Sequence, residues 1–277
     1  MKQFCDLHTH STFSDGTYTP TEIVEAALRI GLSAVALCDH NTIDGLTEFI
    51  AAAKGKNIHA IPGAEFSVDY NGKELHLIAL NIPQQQFENV SQLMKAVNER
   101  KKQSNIDLII ALNRAGYAID FETIEQTTPN GNFNRAHIAD ELTKKGYTES
   151  IKQAFDTLLK PEHGYYKEPE RISVFEMIAY VTAIGAIPVI AHPFLNLDFE
   201  ALETFLPIAK EYGLAGMECF YSTYDEETTQ KAIQLADQYG LVYSGGSDFH
   251  GDKKPDIRLG FGRGNLRVPY LWKLKFE

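Results

Sequence analysis

The chain has little cysteine: three residues in 277, at positions 5, 38 and 219. Cys5, Cys38 and Cys219 lie far apart, each in an apolar, strand-like run. Buried, reduced thiols are therefore expected rather than disulfides or a Cys-type zinc site. No apolar run approaches the roughly 20 residues of a membrane span. The N-terminus enters strand-like sequence without the apolar stretch of a signal peptide, so a cytoplasmic setting away from membranes is expected. Basic residues are also scarce, 26 Lys and Arg against 37 Asp and Glu, for a net charge of -11. That balance argues against duplex DNA binding, which needs clustered Lys and Arg. A small phosphorylated substrate stays open, because bound cations can reverse a local field. There is no internal repeat, no low-complexity tract and no convincing Ser or Cys nucleophile motif.

The chain does have ample apolar content, 44% of its residues, enough for a sizeable core at this length. It also has a repeating rhythm. Thr19 and Glu22 have capping-box spacing, with Pro20 at the first helical position. Ile23, Ala26, Ala27 and Ile30 recur at helical spacing, and Gly31 closes that helix. Short apolar runs read as buried strands at Ala34 to Cys38, Ile58 to Ile61, Ile187 to Ala191, Leu214 to Phe220 and Leu241 to Ser244. Phe66 to Tyr70 and Glu74 to Leu80, around Asn71-Gly72, read as a hairpin. A last short strand is expected at Asn265 to Val268.

Between about Pro83 and Pro169 no barrel strand is evident. Helical patterns cover Val90 to Ala115, Phe121 to Gln126, Arg135 to Lys145 and Ile151 to Leu159, punctuated by Gly and Pro. This stretch reads as a helical insertion, or cap, over 83–169, splitting a main domain of 1–82 and 170–277. Ser173 and Glu176 then form a second capping-box spacing, and the strand–helix alternation resumes.

About seven strand-then-helix units favour a parallel sheet, in a barrel or an open doubly wound form. The polar residues choose between them. His8, His40, Glu65, His192 and Asp248 each fall at or just beyond the C-terminal end of a different strand. In a barrel those ends converge on one rim; an open sheet would spread them across its width.

The candidate metal ligands are His8, His10, Asp15, His40, Glu65, His76, His192, Asp248 and His250. They include six of the nine histidines. His8 and His10 alternate along a strand and so share a face. Each piece alone is weak: a His-x-His pair is often just a half-exposed strand, and His192-Pro193 could be a strand stop. The recurrence at successive strand ends carries the metal reading. Mixed imidazole and carboxylate ligands suit Zn²⁺, Mn²⁺ or Fe better than Mg²⁺ alone. Nine ligands exceed one cation, and three cations sharing a carboxylate would use them economically.

Six stretches carry a resemblance: DLHTHSTFSDG from Asp6, CDHNT from Cys38, PGAEFS from Pro62, ELHLIAL from Glu74, IAHPF from Ile190 and GGSDFH from Gly245. Together they resemble the PHP (polymerase and histidinol phosphatase) domain family, over nearly the whole chain. Order and lengths are most similar to its stand-alone TrpH-like metal-dependent phosphoesterases. The resemblance implies an α/β fold, a distorted seven-stranded (β/α) barrel of PHP type with a helical insertion. It implies two to three divalent ions (Mn, Zn or Fe). One would be held by His8, His10, Glu65 and Asp248. A second would share Glu65 and add His76 and His192. A third would use Asp15, His40 and His250.

In the insertion, Asn134 to His137 looks like a substrate-contacting segment, with Arg135 and His137 on the substrate phosphate. Without the resemblance, a surface Arg and a satisfied His would be the default. Phe194, Tyr165 and Tyr166 are more often core residues than base platforms. The implied activity is hydrolysis of phosphate esters of nucleotides or short oligonucleotides by a metal-activated hydroxide. His192, His250 or a metal-bound water would serve as leaving-group acid. The alternatives are a histidinol-phosphate-type phosphatase, a non-catalytic binding module and a C–N amidohydrolase. The complete ligand set argues against the module, and the ligand layout against the amidohydrolase.

Overall fold

The computed structural model describes residues 4–127 and 135–270. The chain forms β1 (Phe4–Asp6), α1 (Pro20–Arg29), β2 (Ala34–Leu37), α2 (Leu46–Ala53), β3 (His59–Tyr70) and β4 (Lys73–Leu80). The helices α3 (Phe87–Arg114), α4 (Phe121–Thr127), α5 (Arg135–Lys144) and α6 (Ile151–Ala154) follow. Alternation resumes with α7 (Val174–Ala183), β5 (Ile187–Ile190), α8 (Phe199–Glu211), β6 (Gly216–Tyr221), α9 (Glu226–Tyr239), β7 (Val242–Gly246) and β8 (Val268–Pro269). The chain divides into two compact units, one made of residues up to 92 and from 171 onward, the other of 93–170.

Local chemistry accounts for most element ends. The Thr19 hydroxyl accepts from the Glu22 amide while the Glu22 carboxylate accepts from the Thr19 amide, both halves of a capping box. Gly31, at φ +78°, ends α1 in a conformation that favours glycine. Asn71 and Gly72 both have positive φ, as the tight two-residue turn between β3 and β4 requires. At α7 the capping differs from the expected box: the Ser173 hydroxyl accepts from the Phe175 amide.

The strands run in the order β7-β6-β5-β4-β3-β2-β1-β8. The expected third strand and the first arm of the hairpin are one continuous strand. The first part of β3 pairs with β2 in parallel, and from Gly63 onward β3 pairs with β4 antiparallel. β4 is also antiparallel to β5, so the sheet is mixed rather than wholly parallel. The reversal has a consequence for the rim. Because β4 runs against its neighbours, its N-terminal half, carrying His76, lies level with the C-terminal ends of the parallel strands.

Closure comes from the two loops beyond β1 and β7. The Leu7 amide donates to the Gly245 carbonyl (3.1 Å), the Asp248 amide to His8 (2.9 Å) and the His10 amide to Phe249 (2.9 Å). This approach needs glycine: a Cβ on Gly246 would lie 2.3 Å from the His8 Cβ. Alternate residues fill the interior, including Cys5 and Leu7, Ala34, Ala36 and Cys38, Val189 and Ala191. All three cysteines are buried free thiols. The second unit has its own core around Leu108, Leu112, Ile138, Leu142 and Leu159. Among the described residues, no helix is long and apolar enough to cross a membrane.

Asp6, wholly buried, ties the closure together. It accepts from the Ser247 amide (2.8 Å) and hydroxyl (2.5 Å), the Gly260 amide (2.7 Å) and the His8 amide (3.3 Å). Burial pushes its pKa up, and these donors partly offset that push. Asp6→Ala would orphan several buried donors. The expected loss of stability is about 2–4 kcal/mol, read as a lower urea midpoint with unchanged slope.

Candidate metal centre

All nine sequence-predicted ligands lie in the barrel unit, and the structure brings them together. Glu65, fully buried on β3, is at the centre. Its Oε2 lies 3.3 Å from His8 Nε2, 3.4 Å from His10 Nε2 and 2.9 Å from His40 Nδ1. Its Oε1 lies 2.9 Å from His76 Nδ1 and 3.0 Å from His192 Nε2. One carboxylate thus serves two sides of the cluster. Asp248 Oδ1 faces His10 Nε2 at 3.1 Å and His8 Nε2 at 3.7 Å. Asp15 Oδ1 faces His250 Nε2 at 3.3 Å, and His10 Nδ1 and His40 Nε2 at 3.9 Å.

The donor atoms fall into overlapping groups compact enough for an ion: His10, Asp15, His40 and His250; His8, His10 and Glu65; His40, Glu65 and His76; and His8, His192 and Glu218. A direct test of fit is the state of their buried polar atoms. His8 Nε2, both ring nitrogens of His10, and Glu65 Oε2 are buried close to one another and to other donors without a well-aligned hydrogen bond. Burying such groups unpaired is costly, and a cation at their focus satisfies them. The residues present therefore fit metal ions.

Ring orientation is prepared from behind. The Asp248 carbonyl can only accept, so His250 Nδ1, 2.8 Å away, carries the proton and donates it. With Nδ1 held this way, Nε2 is the nitrogen that faces Asp15. His8 Nδ1 lies 3.1 Å from Glu218 Oε1, which turns His8 Nε2 inward. Glu218 also accepts from the His192 amide at 2.7 Å. Asp39 accepts from the Ser11 amide (2.7 Å), the Ser11 hydroxyl (2.6 Å) and the Ser14 hydroxyl (2.5 Å), fixing the loop between His10 and Asp15. Two candidate ligands hold left-handed backbone, His192 at φ +26° and Asp248 at φ +56°. Such strain persists where surrounding structure enforces it.

Without cations, protons balance the charge. Burial opposes ionisation of Glu65, but His76, His8 and His40 hold its carboxyl well below the usual range. Burial would lower the pKa of His8, yet Glu65 and Glu218 raise it well above normal. His76, half-buried beside Glu65, is pushed up to about 10 by that carboxylate. Burial and the neighbouring His40 press His10 down to about 3, so that ring stays neutral.

The PHP domain family model matches residues 6–168. The chain belongs to the PHP domain family. A 5'-3' exoribonuclease of Haemophilus influenzae is 31% identical over 90% of this chain and 91% of that protein. A 3',5'-nucleoside bisphosphate phosphatase of Chromobacterium violaceum is 29% identical, over 88% and 86%. A solved structure from Bifidobacterium adolescentis, described as that of a metal-dependent phosphoesterase, superimposes with a TM-score of 0.76. It shares 28% identity and is covered over 96% of this chain and 93% of its own. The mixed barrel is thus the PHP fold, and its His/Asp/Glu clusters are those of a metal-dependent phosphoesterase family.

Arg135 and His137 stand in the first turn of α5, in the second unit. Arg135 Nη1 donates to the Leu159 carbonyl at 3.3 Å, and its guanidinium lies 4.2 Å from the Tyr166 ring centre. Tyr166 belongs to that unit's core. Asn134 lies outside the described residues.

The sequence reading of this PHP domain missed the supports behind the ligands. Glu218 is wholly buried inside β6, and its signal was there: a carboxylate between Met217 and Cys219 in an otherwise apolar strand. Tyr221 and Lys254, which bond Asp248, had no comparable signal.

Two outcomes follow from this geometry. Glu218→Gln is expected to leave the fold intact and weaken metal binding roughly 10- to 100-fold, measured by competition with a chelating dye. Metal uptake is also expected to release protons, because the raised His8 and His76 must deprotonate to bind. Affinity should therefore strengthen as pH rises. Calorimetry in buffers of different ionisation enthalpy reads the protons directly.

Proposed function

We propose that this PHP domain is a phosphoesterase acting on nucleotides or short oligonucleotides, with two to three divalent ions of Mn, Zn or Fe. The observation that carries it is Glu65 with an oxygen on each side of the cluster, among buried His8 and His10 nitrogens that have no well-aligned hydrogen bond. His8, His10, Glu65 and Asp248 would hold one ion. Glu65, His76 and His192 would hold a second, and Asp15, His40 and His250 a third. When bound, such ions supply a water nucleophile at neutral pH and cancel phosphoryl charge.

The chain's own residues do the rest. Glu218 and the Asp248 carbonyl set the faces of His8 and His250. His192 and His250, the two rings proposed as leaving-group acid, are almost fully buried and also stand among the ligands, so either would give a proton only while its nitrogen is off an ion. A cleft of about 560 Å³ lies between the β5–α8 and β6–α9 loops, lined by Phe194, Leu195, Asn196 and Tyr224 among others, and none of the nine candidate ligands lines it. The relatives' activities, on RNA ends and on nucleoside bisphosphates, favour this substrate class. The buried free thiols suit a reducing, cytoplasmic setting.

Activity against nucleoside bisphosphates and oligonucleotides is expected with Mn²⁺, abolished by EDTA and at least partly restored by added Mn²⁺. The double substitution His8→Ala with His10→Ala should remove turnover while the protein stays folded by circular dichroism. Retained turnover in that variant would sink the reading. Arg135→Ala tests the phosphate contact implied for that side chain. The expected result is a raised KM with little change in kcat.

A further inference from the structure

Asp248 uses its two oxygens differently. Oδ1 faces the His8 and His10 imidazoles. Oδ2 accepts two hydrogen bonds, from the Tyr221 hydroxyl at 2.7 Å and from Lys254 Nζ at 2.7 Å. The two donors are not equivalent. Tyr221 is buried, only 7% exposed, whereas the Lys254 side chain is 39% exposed at the edge of the cluster.

Asp248 does not depend on the lysine for its place. Its amide is tied to the His8 carbonyl at 2.9 Å, and Tyr221 alone keeps Oδ2 satisfied. The backbone of Lys254 is also held. Its amide donates to the Gly251 carbonyl (3.2 Å) and its carbonyl accepts from Ile257 (2.9 Å). The short turn before it is tied to the first loop of the chain: the Thr17 amide donates to the His250 carbonyl (3.1 Å) and the Thr17 hydroxyl accepts from the Asp252 amide (2.9 Å). Gly251 allows this contact, since a Cβ there would lie 2.0 Å from Thr17 Oγ1. The result is a fixed base carrying an exposed ammonium on a flexible stem, one carboxylate away from the imidazole cluster.

We propose that Lys254 is a phosphate-binding residue of this site, whose ammonium passes from Asp248 Oδ2 to an oxygen of the substrate's phosphate group. The proposal rests on the phosphoesterase reading and deepens it by adding a cation borne by the barrel unit itself. The exchange leaves no buried group unpaired, because Tyr221 stays on Oδ2 when the lysine leaves. A dianionic phosphate is a better partner for an exposed ammonium than a carboxylate oxygen already holding a second donor. The competing role is purely structural: Lys254 would neutralise Asp248 and so keep it fit to hold a cation.

The two roles separate in one experiment on the full chain loaded with Mn²⁺. Inorganic phosphate is titrated calorimetrically into wild type, Lys254→Met and Lys254→Arg, and bound manganese is measured by mass spectrometry after dialysis. The expected result is a phosphate affinity lowered roughly 10- to 100-fold in Lys254→Met, the size of a lost charged hydrogen bond, with manganese content unchanged. Lys254→Arg should keep most of that affinity. Wild-type phosphate affinity in Lys254→Met would overturn the proposal, and so would a loss of phosphate that only tracks lost manganese. Failure of the wild type to hydrolyse any phosphate ester would sink the phosphoesterase reading, and the phosphate titration would still decide Lys254.

Discussion

A carboxylate without access to water, Glu65, faces five imidazoles: His8, His10 and His40 on one oxygen, His76 and His192 on the other. An isolated charge in that position would be prohibitive. The arrangement is tenable only if positive charge gathers around it, as protons on the imidazoles or as cations between them. Much of the barrel mouth follows from that requirement. Strand ends must converge there, rings must be turned from behind, and the loops after β1 and β7 must lock together.

The locking is done by carboxylates that hold backbone and rings behind the cluster. Asp6 joins the end of β1 to Ser247 and Gly260, and Asp39 shapes the loop from Ser11 to Ser14. Glu218 holds the His8 ring and the His192 amide at once. These groups brace two candidate ligands, His192 and Asp248, that hold left-handed backbone. Precision at the centre is therefore a property of the supporting layer as much as of the ligands.

Membership of the PHP family and the phosphoesterase relatives give the centre its chemistry, and the geometry gives that chemistry its parts. Acidic composition and an anionic substrate are compatible on this view. The overall charge of -11 does not fix the local field, which at the cluster is set by its imidazoles, by Lys254 at its edge and by any bound cations.

The amino-acid order alone determined what depends on near neighbours. Thr19, Pro20 and Glu22 start a helix because capping is a contact three residues long. Asn71-Gly72 turns because both residues tolerate positive φ. His8 and His10 share a face because strands alternate. The convergence of the candidate ligands was legible because barrel topology sends strand ends to one rim, so that polar residues at those ends were readable as a set. Tertiary structure alone decided what depends on distant partners. His8 meets Glu218 across 210 positions, and Asp6 meets Ser247 across 241. The reversal of β4 that places His76, and the division of Glu65's two oxygens, likewise arise from pairing between strands. No local periodicity encodes these contacts, because they exist only once the barrel has closed.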